Sequence, residues 1–245
     1  MNCDITTIIV CVEYQDFLSV TLPHNRPLLG RMLVVTDPED ERTISVAEEN
    51  GVDVLTTKVF FEHNALFNKW AAVNQGFSYL SVSGWCLVLD ADLLLPQSSV
   101  PWKVNAGKLY KARRTQVVDW KKKIEPEKNW KRYRKIRETP GGYFHLFHSS
   151  DPAVRKIPYL NCWRWCGTGD HEFESHWPES QKVLMPFDVV HLGTPEVNWC
   201  GRSEVFCDGS SPERAKERLS AAQSLRRQTR INAGLDNKYQ GDRIL

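Results

Sequence analysis

The chain has 245 residues, of which 41% are hydrophobic and 25% are charged, which is the composition of an ordinary globular protein. This length supports a large domain with its own core, and no apolar run approaches the roughly 18 residues that would indicate a membrane span. The formal net charge of +2 hides a segregation, because residues 1–100 carry 5 Lys and Arg against 13 Asp and Glu, whereas residues 101–137 carry 14 against 3. Such a concentration of positive charge favours a polyanionic partner.

The N-terminus and the cysteines bear on the cellular compartment. Residues 1–4 carry no positive charge and the apolar run behind them has only the length of a strand, so we expect no secretory signal. The seven Cys are odd in number and scattered, and Cys11 and Cys86 lie inside apolar runs. This usage is typical of reduced thiols rather than of a disulfide framework, and it predicts a cytoplasmic protein.

Apolar runs and helical periodicity alternate along the first 90 residues. Helices are predicted over residues 43–50, with Gly51 at the position of a C-terminal cap, and over residues 64–80, where apolar side chains recur every three or four positions. The alternation indicates an α/β sheet with parallel strands, whose ligands bind beyond the carboxyl ends of the strands. The apolar runs that predict strands cover residues 6–12, 31–36, 52–56 and 85–89.

The remainder of the chain is less regular. Between residues 101 and 137, Lys and Arg are interleaved with Trp and Tyr, and residues 139–142 form a turn signal. A polar helix is predicted over residues 212–228. Further strands are predicted over residues 108–112, 143–147 and 182–190.

Asp90 and Asp92 follow the fourth predicted strand directly. Two carboxylates one residue apart at the end of a buried strand are unfavourable unless something neutralises them. A hard divalent cation does so, and such cations share their oxygen ligands with substrate phosphates. The alternative is a capping Asp beside a turn Asp, which is common where strands end. The position after a buried strand favours the metal site.

Three further residues are candidates for chemistry. His191 ends an apolar run and could complete the coordination of a metal such as manganese, although a hydrogen-bonded histidine at a strand end has the same local sequence. Asp170 lies in a Gly-rich loop with aromatic neighbours, where a carboxylate could act as a general base or simply cap a surface loop. Lys69 could offset phosphate charge, or it could be an ordinary solvated helix lysine.

Together these motifs resemble the GT-A glycosyltransferases. The resemblance rests on Asp37 after the second strand, on Asn68-Lys69 in the helix that follows the third strand and on the Asp90-Ala91-Asp92 motif, and it resumes over residues 141–202. It implies a Rossmann-like mixed sheet flanked by helices. It also implies that a divalent metal, Mn²⁺ or Mg²⁺, holds the diphosphate of a nucleotide sugar.

The resemblance implies roles for individual residues. Asp92 would contact the metal most directly, Asp90 would bind the metal and face the ribose or sugar, and His191 would complete the coordination. The segment around Asp170 is similar to the Trp-Gly-x-Glu-Asp loop of galactosyltransferase-like members, but Gly169 stands where that loop has Glu. Asp170 is therefore the catalytic candidate, as the base in an inverting reaction, and the stereochemistry stays open. Donor contacts are implied for Val12, Tyr14, Asp37, Lys69 and Asp90.

The basic segment and the Gly-rich loop are predicted to bind the acceptor. Cations beside aromatic faces suit a nucleic-acid backbone with bases that stack. We therefore expect a DNA acceptor, such as a hydroxymethylated pyrimidine of the kind some bacteriophage enzymes glycosylate, which would have to be flipped out of a duplex. A saccharide or an anionic glycolipid is the alternative acceptor. The candidate acceptor residues are Trp120, Trp130, Arg113, Arg114, Lys121, Trp165, Gly169 and Glu172.

The resemblance also divides the chain. Residues 1–100 are predicted to bind the nucleotide sugar, residues 101–138 form the basic aromatic insertion, residues 139–205 complete the metal and acceptor sites, and residues 206–245 form a C-terminal helix and tail.

Two other classes of protein remain possible from the residues. A zinc-stabilised nucleic-acid-binding protein could use the cysteines and histidines after residue 161, although their spacing is loose for a zinc site. A nucleotidyltransferase would share the sheet and the metal carboxylates. It would usually have a Gly-rich loop after the first strand, and residues 12–17 contain no Gly. The zinc ligands would come from Cys162, Cys166, His171, His176, Cys200 and Cys207.

Overall fold

The computed structural model describes residues 5–60, 62, 67–99, 101–135, 141–154, 158–159 and 169–193. The predicted helix over residues 212–228, Trp165 and the four cysteines after residue 161 lie outside this part of the chain.

The first half of the described chain follows the predicted alternation. β1 (Ile5–Val10), β2 (Met32–Thr36), β3 (Asp53–Thr56) and β4 (Trp85–Leu89) confirm the four predicted strands. α2 (Glu41–Glu49) confirms the first predicted helix, and Gly51 adopts a φ of +63° just beyond it, as a C-terminal cap requires. α3 (Lys69–Tyr79) confirms the second helix and begins behind Asn68, whose side chain accepts a hydrogen bond from the Ala71 N–H.

One helix of this half has no counterpart among the predictions. α1 (Gln15–Asn25) follows β1 and contains Pro23 in its last turn. It buries Phe17, Leu18, Thr21 and Leu22, a spacing of one, three and four residues that defines a helical face. The proline and the polar residues around it concealed that periodicity.

Within the described residues, the strands form a mixed sheet of nine. β1 pairs in parallel with β2 and β4, and β2 pairs in parallel with β3. The other strands are β5 (Leu93–Leu94), β6 (Leu109–Val117), β7 (Arg134–Lys135), β8 (Phe144–His148) and β9 (Lys182–Leu192). β8 is antiparallel to β4 and to β6, and β9 is parallel to β6. The order is β3-β2-β1-β4-β8-β6-β9-β5, with β7 paired to β6.

Helices cover the two faces of the sheet and create two buried clusters. One cluster packs α1 and α2 residues against alternate strand positions such as Leu87 and Leu89. The other packs α3 and α4 (Gly169–Glu174) against the opposite positions, such as Cys86 and Val88. The helices that connect the strands on one side of the β1–β4 pair cover one face of the sheet, and α3, which leads into β4, covers the other face. Sheets of this kind bind their ligands where the connections change face, beyond the carboxyl ends of the strands.

The basic segment contributes a long strand to the sheet. β6 lies within residues 101–138 and pairs with both β8 and β9, so residues 109–117 belong to the central architecture. The strand predicted over residues 108–112 is confirmed and extends further than expected. In the described part of the chain, no helix combines the length and the apolar character that crossing a membrane requires.

Candidate active site

Several strands end at one edge of the sheet. β4 runs directly into Asp90, β2 runs into Asp37, and β9 ends one residue after His191. β5 pairs antiparallel with β9 so that Leu93 lies opposite His191, which brings the chain just after Asp92 beside the end of β9. The sheet therefore gathers at one edge the residues that the sequence placed at strand ends.

Asp92 and His191 contact each other at this edge. Asp92 Oδ2 lies 3.2 Å from His191 Nε2, and the two side chains are 4% and 8% exposed. The Leu192 N–H donates to the Asp92 carbonyl at 2.9 Å, which fixes the two segments relative to each other. Gln116 Nε2 donates to the Gly193 carbonyl and lies 2.8 Å from His191 Nδ1. The Gln116 amide therefore faces His191 Nδ1, and Nε2 faces Asp92. A cation could bind Nε2 only when that nitrogen carries no proton, and the proton of a neutral imidazole would then lie on Nδ1.

Lys69 binds the other carboxylate of the motif. Its Nζ forms an ion pair with Asp90 Oδ1 and donates to the Gly142 carbonyl at 3.3 Å. The Lys69 side chain is only 10% exposed, so salt screens this pair less than it would screen a surface pair. The sequence predicted both residues at the site but did not predict that they pair.

Asp170 reaches the same region from α4. Its Oδ2 accepts a hydrogen bond from the Gly142 N–H at 2.9 Å. The carbonyl of the same glycine accepts a hydrogen bond from Lys69. Its Oδ1 is buried and has no hydrogen-bond partner among the residues that the structure describes. Trp70 lies beneath this contact, because a Cβ added at Gly142 would lie 2.7 Å from the Trp70 ring and one added at Gly169 would lie 2.2 Å from it. Glycine is therefore needed at both positions for this close approach.

The donor set at this edge suits a divalent cation. A carboxylate oxygen of Asp92 and an imidazole nitrogen of His191 are ligand types that Mn²⁺ accepts. Of the three predicted metal ligands, the structure brings these two together and pairs Asp90 with Lys69. Within the described residues no group of three or more His, Cys, Asp or Glu could hold a metal ion. A cation bound here would complete its coordination with water and phosphate oxygens, as Mg²⁺ commonly does.

The end of β1 forms a tight corner beside the site. Val12 and Tyr14 are 6% and 7% exposed, and Glu13 between them has a φ of +61°, which is rare for a residue with a side chain. Asp40 holds this corner, because its Oδ2 accepts from the Glu13 N–H at 2.5 Å and from the Thr36 hydroxyl at 2.9 Å. Strained backbone of this kind is concentrated at binding sites.

Asp37 closes the neighbouring strand end. It is 7% exposed, its Oδ1 accepts from the Glu39 N–H at 2.9 Å, and the Lys58 ammonium lies 3.2 Å away. Hydrogen bonds to the Glu39 and Asp37 carboxylates raise the pKa of Lys58 above its ordinary value, and the neighbouring charges act in the same direction. Of the residues predicted to contact the donor, Val12, Tyr14 and Asp37 therefore line the ends of β1 and β2.

The aromatic residues of the basic segment pack against the protein. Trp130 is 7% exposed and its indole N–H donates to the Glu125 carbonyl at 2.9 Å. Trp120 is half-buried and stacks on Phe17 of α1 with 4.7 Å between ring centroids. Trp130 is therefore buried in the protein, in contrast to the expectation from the sequence, whereas Trp120 has one face covered by Phe17.

The cations of the basic segment are more accessible. Lys121 is 54% exposed and lies 3.7 Å from Asp16, while Arg113 is 54% exposed and pairs with Asp188 at 3.1 Å. The Arg114 guanidinium lies 4.8 Å from the centre of the Tyr143 ring, and the Tyr143 carbonyl accepts from the Asp90 N–H at 2.9 Å. Arg114 therefore contacts the residue whose backbone pairs with Asp90.

The residues proposed as zinc ligands are only partly described. The Nε2 atom of His176 lies 2.9 Å from Glu172 Oε1, and His171 is exposed on α4. This contact joins Glu172, which was predicted to bind the acceptor substrate, to the segment that follows α4.

Sequence reasoning missed several residues that shape the site. Gln116 and His191 are 75 positions apart and meet only because β6 and β9 pair in parallel. Trp70 was predicted on the apolar face of its helix and is a core residue, but its ring also packs directly against Gly142 and Gly169. The doublet of glycines at the turn after residue 140 was the available signal for that close approach.

Comparison with solved structures identifies the fold. The mannosyltransferase from Pyrobaculum calidifontis, solved with GDP-mannose and Mn²⁺, matches 80% of this chain and 58% of its own length, with a TM-score of 0.54 and 12% identity. This match confirms the expected GT-A fold.

Other matches are shorter. Glucosyl-3-phosphoglycerate synthase from Mycobacterium tuberculosis, solved with Mn²⁺, UDP and glucosyl-3-phosphoglycerate, matches 45% of this chain and 43% of its own, with 16% identity and a TM-score of 0.36. Mannosyl-3-phosphoglycerate synthase from Rubrobacter xylanophilus matches 46% and 41%, with 18% identity and a TM-score of 0.37. The chain thus spans 41–58% of the length of these three proteins. No protein-family model and no curated protein matches it.

Proposed function

We propose that the chain is a metal-dependent glycosyltransferase that moves a sugar from a nucleotide diphosphate sugar to an acceptor hydroxyl. The observation that carries this proposal is the contact between Asp92 and His191 at the carboxyl edge of a GT-A sheet. The mannosyltransferase that shares this fold was solved with GDP-mannose and Mn²⁺, which supports the same class of donor and metal here.

In this proposal, Asp92 and His191 hold Mn²⁺ or Mg²⁺. The cation, when bound, supplies Lewis-acid chemistry by neutralising charge that develops on the departing diphosphate. Lys69 neutralises Asp90 through their ion pair, so that this carboxylate does not repel the diphosphate at the same edge. Asp90 faces the ribose or the sugar, and the ends of β1 and β2 at Val12, Tyr14 and Asp37 receive the nucleoside.

Asp170 is proposed as the general base of an inverting transfer. Its Oδ2 is held by the Gly142 N–H, while Oδ1 is buried and has no hydrogen-bond partner among the described residues. Once the groups that cover Oδ1 move aside, an acceptor hydroxyl could donate to this atom and lose its proton to it. Gly169 and Glu172 of α4 would line the acceptor side, and Trp165, the third residue expected there, lies outside the described residues.

The acceptor is proposed to be polyanionic, and DNA with a hydroxymethylated pyrimidine is the specific candidate. The observation that favours it is the exposure of Lys121, Lys122 and Lys123, whose side chains are 54%, 82% and 70% exposed. Arg113 on β6 is a further exposed cation, whereas Arg114 beside it is half-buried against Tyr143. The buried thiols of Cys11 and Cys86 support the reducing compartment in which a bacteriophage enzyme of this kind would act.

A thermal-shift screen tests the donor and the metal. The melting temperature is measured with UDP- and GDP-sugars, each with and without Mn²⁺. A ligand that binds only the folded state raises the melting temperature, and at 100 times its Kd it contributes about 2.7 kcal/mol. We expect a rise that requires Mn²⁺ and the nucleotide sugar together; no rise with any donor would contradict the proposal.

Charge reversal tests the polyanionic acceptor. We expect the triple variant Lys121→Glu, Lys122→Glu and Lys123→Glu to weaken binding to heparin and duplex DNA. The dependence of log Kd on log salt should flatten by about 0.9 for each phosphate that the variant no longer neutralises. The matched control is Arg31→Glu, which is 54% exposed at the opposite edge of the sheet and should change neither quantity. Binding that ignores salt in the wild type would exclude DNA and leave an uncharged saccharide as the acceptor.

A further inference from the structure

A chain of four polar side chains is buried behind the candidate site. Lys111 Nζ lies 2.5 Å from Glu174 Oε2, Glu174 Oε1 lies 3.0 Å from His145 Nε2, and His145 Nδ1 lies 2.9 Å from the Tyr159 hydroxyl. The four residues are between 0% and 6% exposed. Lys111 and His145 occupy β6 and β8, on the sheet face that α3 and α4 cover, and Glu174 is the last residue of α4.

Burial and hydrogen bonds shift the pKa values of two groups among these four side chains, Glu174 and Tyr159. Burial acts to raise the pKa of the Glu174 carboxyl, but the hydrogen bonds and charges of His145 and Lys111 outweigh it, and the pKa lies below its ordinary value. Burial raises the pKa of the Tyr159 hydroxyl, so that group stays protonated. His145 lies between the two groups, with Nε2 facing the Glu174 carboxylate and Nδ1 facing the Tyr159 hydroxyl.

Stability alone does not explain why these four polar side chains are buried together. A buried ion pair often stabilises a fold no better than apolar side chains of the same size, whereas it does fix a specific geometry. Lys111 and His145 anchor one carboxylate to two strands, and Tyr159 is itself held by Asn74, whose Nδ2 donates to the Tyr159 carbonyl at 2.5 Å. The carboxylate of Glu174 is therefore fixed from two sides.

Glu174 lies one helical turn beyond Asp170. α4 has only six residues, which is too short for a helix to be stable through its own hydrogen bonds. Its position must come from tertiary contacts, and within the described residues these include the ion pair of Glu174 at its last residue and the packing of Phe173 between Tyr159 and Trp177. Any rotation of α4 moves Asp170 relative to Gly142.

We propose that Lys111 and Glu174 are positioning residues that orient α4, so that the Asp170 carboxylate stays on the Gly142 N–H and faces the acceptor. His145 and Tyr159 support them by holding the second oxygen of Glu174. This inference rests on the proposed function only for the catalytic meaning of Asp170. The geometric link from Lys111 to Gly142 can be measured without any substrate.

The test uses Lys111→Met, which keeps the length of the side chain and removes its charge. The first measurement is the hydrogen-exchange rate of the Gly142 amide by NMR, with Asp170→Ala as the reference for a broken contact. We expect Lys111→Met to speed this exchange at least tenfold, toward the Asp170→Ala rate. The second measurement is the steady-state turnover of the donor, where kcat should fall at least tenfold while the donor KM stays within twofold.

Two further variants separate positioning from general destabilisation. Lys111→Arg keeps the charge and should restore most of the Gly142 protection and of kcat. Lys182→Met removes a surface ion pair with Glu179 and should leave both unchanged. If Lys111→Met does not fold, Glu174→Gln carries the same test, because it keeps the shape of the side chain and removes only the charge.

The outcomes distinguish the two proposals. A folded Lys111→Met protein with wild-type Gly142 exchange and wild-type kcat would overturn the positioning role. A wild-type protein that turns over no nucleotide sugar would overturn the proposed function, while the Gly142 exchange would still decide whether the buried chain positions Asp170.

Discussion

Replacing Asp92 with Asn should slow the Mn²⁺-dependent release of nucleoside diphosphate from the donor by about 100-fold or more. A bound cation contributes several kcal/mol to stabilising a transition state in which diphosphate charge develops, and each 1.36 kcal/mol is a factor of ten in rate. Asn has nearly the same shape as Asp and keeps an oxygen for His191, so the change removes mainly the negative charge that the metal needs. The rate is measured by coupled detection of the released diphosphate.

The matched control for this variant is Asp53→Asn. Asp53 opens β3 at the opposite edge of the sheet, where it forms an exposed ion pair with Arg31, and its replacement should leave the rate within a factor of two. A rate for Asp92→Asn equal to that of the control would show that Asp92 holds no catalytic metal. A loss in both variants would indicate damage to the fold.

The second large effect concerns stability. Gly142→Ala should destabilise the protein by about 2–3 kcal/mol, because the added Cβ would lie 2.5 Å from Asp170 Cβ and 2.7 Å from the Trp70 ring. Trp70 is 1% exposed and stacks on Tyr159 with 4.6 Å between centroids, so it has no room to retreat. In a protein of this size, such a loss lowers the melting temperature by roughly 4–12 °C. Thermal unfolding followed by circular dichroism measures it.

The neighbouring glycine provides the control. A Cβ added at Gly141 would meet its nearest atom, Asp170 Oδ2, at 3.4 Å, which is an ordinary contact. Gly141→Ala should therefore change the unfolding free energy by no more than about 0.5 kcal/mol. Equal melting temperatures for Gly142→Ala and the wild type would contradict the close approach of Trp70 to this turn.

Seven of the nine described strands and two of the helices were predictable because their signals are local, whereas the two-residue strands β5 and β7 are too short to leave a pattern. β4 has the predicted bounds, since a run of five largely apolar residues lies between Gly84 and Asp90. α2 has the Gly51 cap that the sequence indicates. α1 was not predicted, although Phe17 and Leu22 lie on one apolar face, because Pro23 is unfavourable inside a helix. Tertiary contacts of the apolar face stabilise the helix in spite of this proline.

The site was only partly predictable because its decisive contacts are long-range. The positions of Asp90, Asp92 and His191 follow from their place after apolar runs. Their partners do not, since Lys69 and Gln116 approach them from elements that the sheet order alone brings together. A buried Lys111 is indistinguishable in sequence from a solvated one, and its burial depends on Glu174, 63 positions away.

The most direct test of the proposed function is a crystal of the protein grown with Mn²⁺ and UDP or GDP, measured at a wavelength where manganese scatters anomalously. We expect an anomalous peak within coordination distance, about 2.2 Å, of the Asp92 carboxylate and of a diphosphate oxygen, with the nucleoside at the ends of β1 and β2. A nucleotide bound at this edge with manganese remote from Asp92, or a nucleotide bound elsewhere on the protein, would contradict the proposed function.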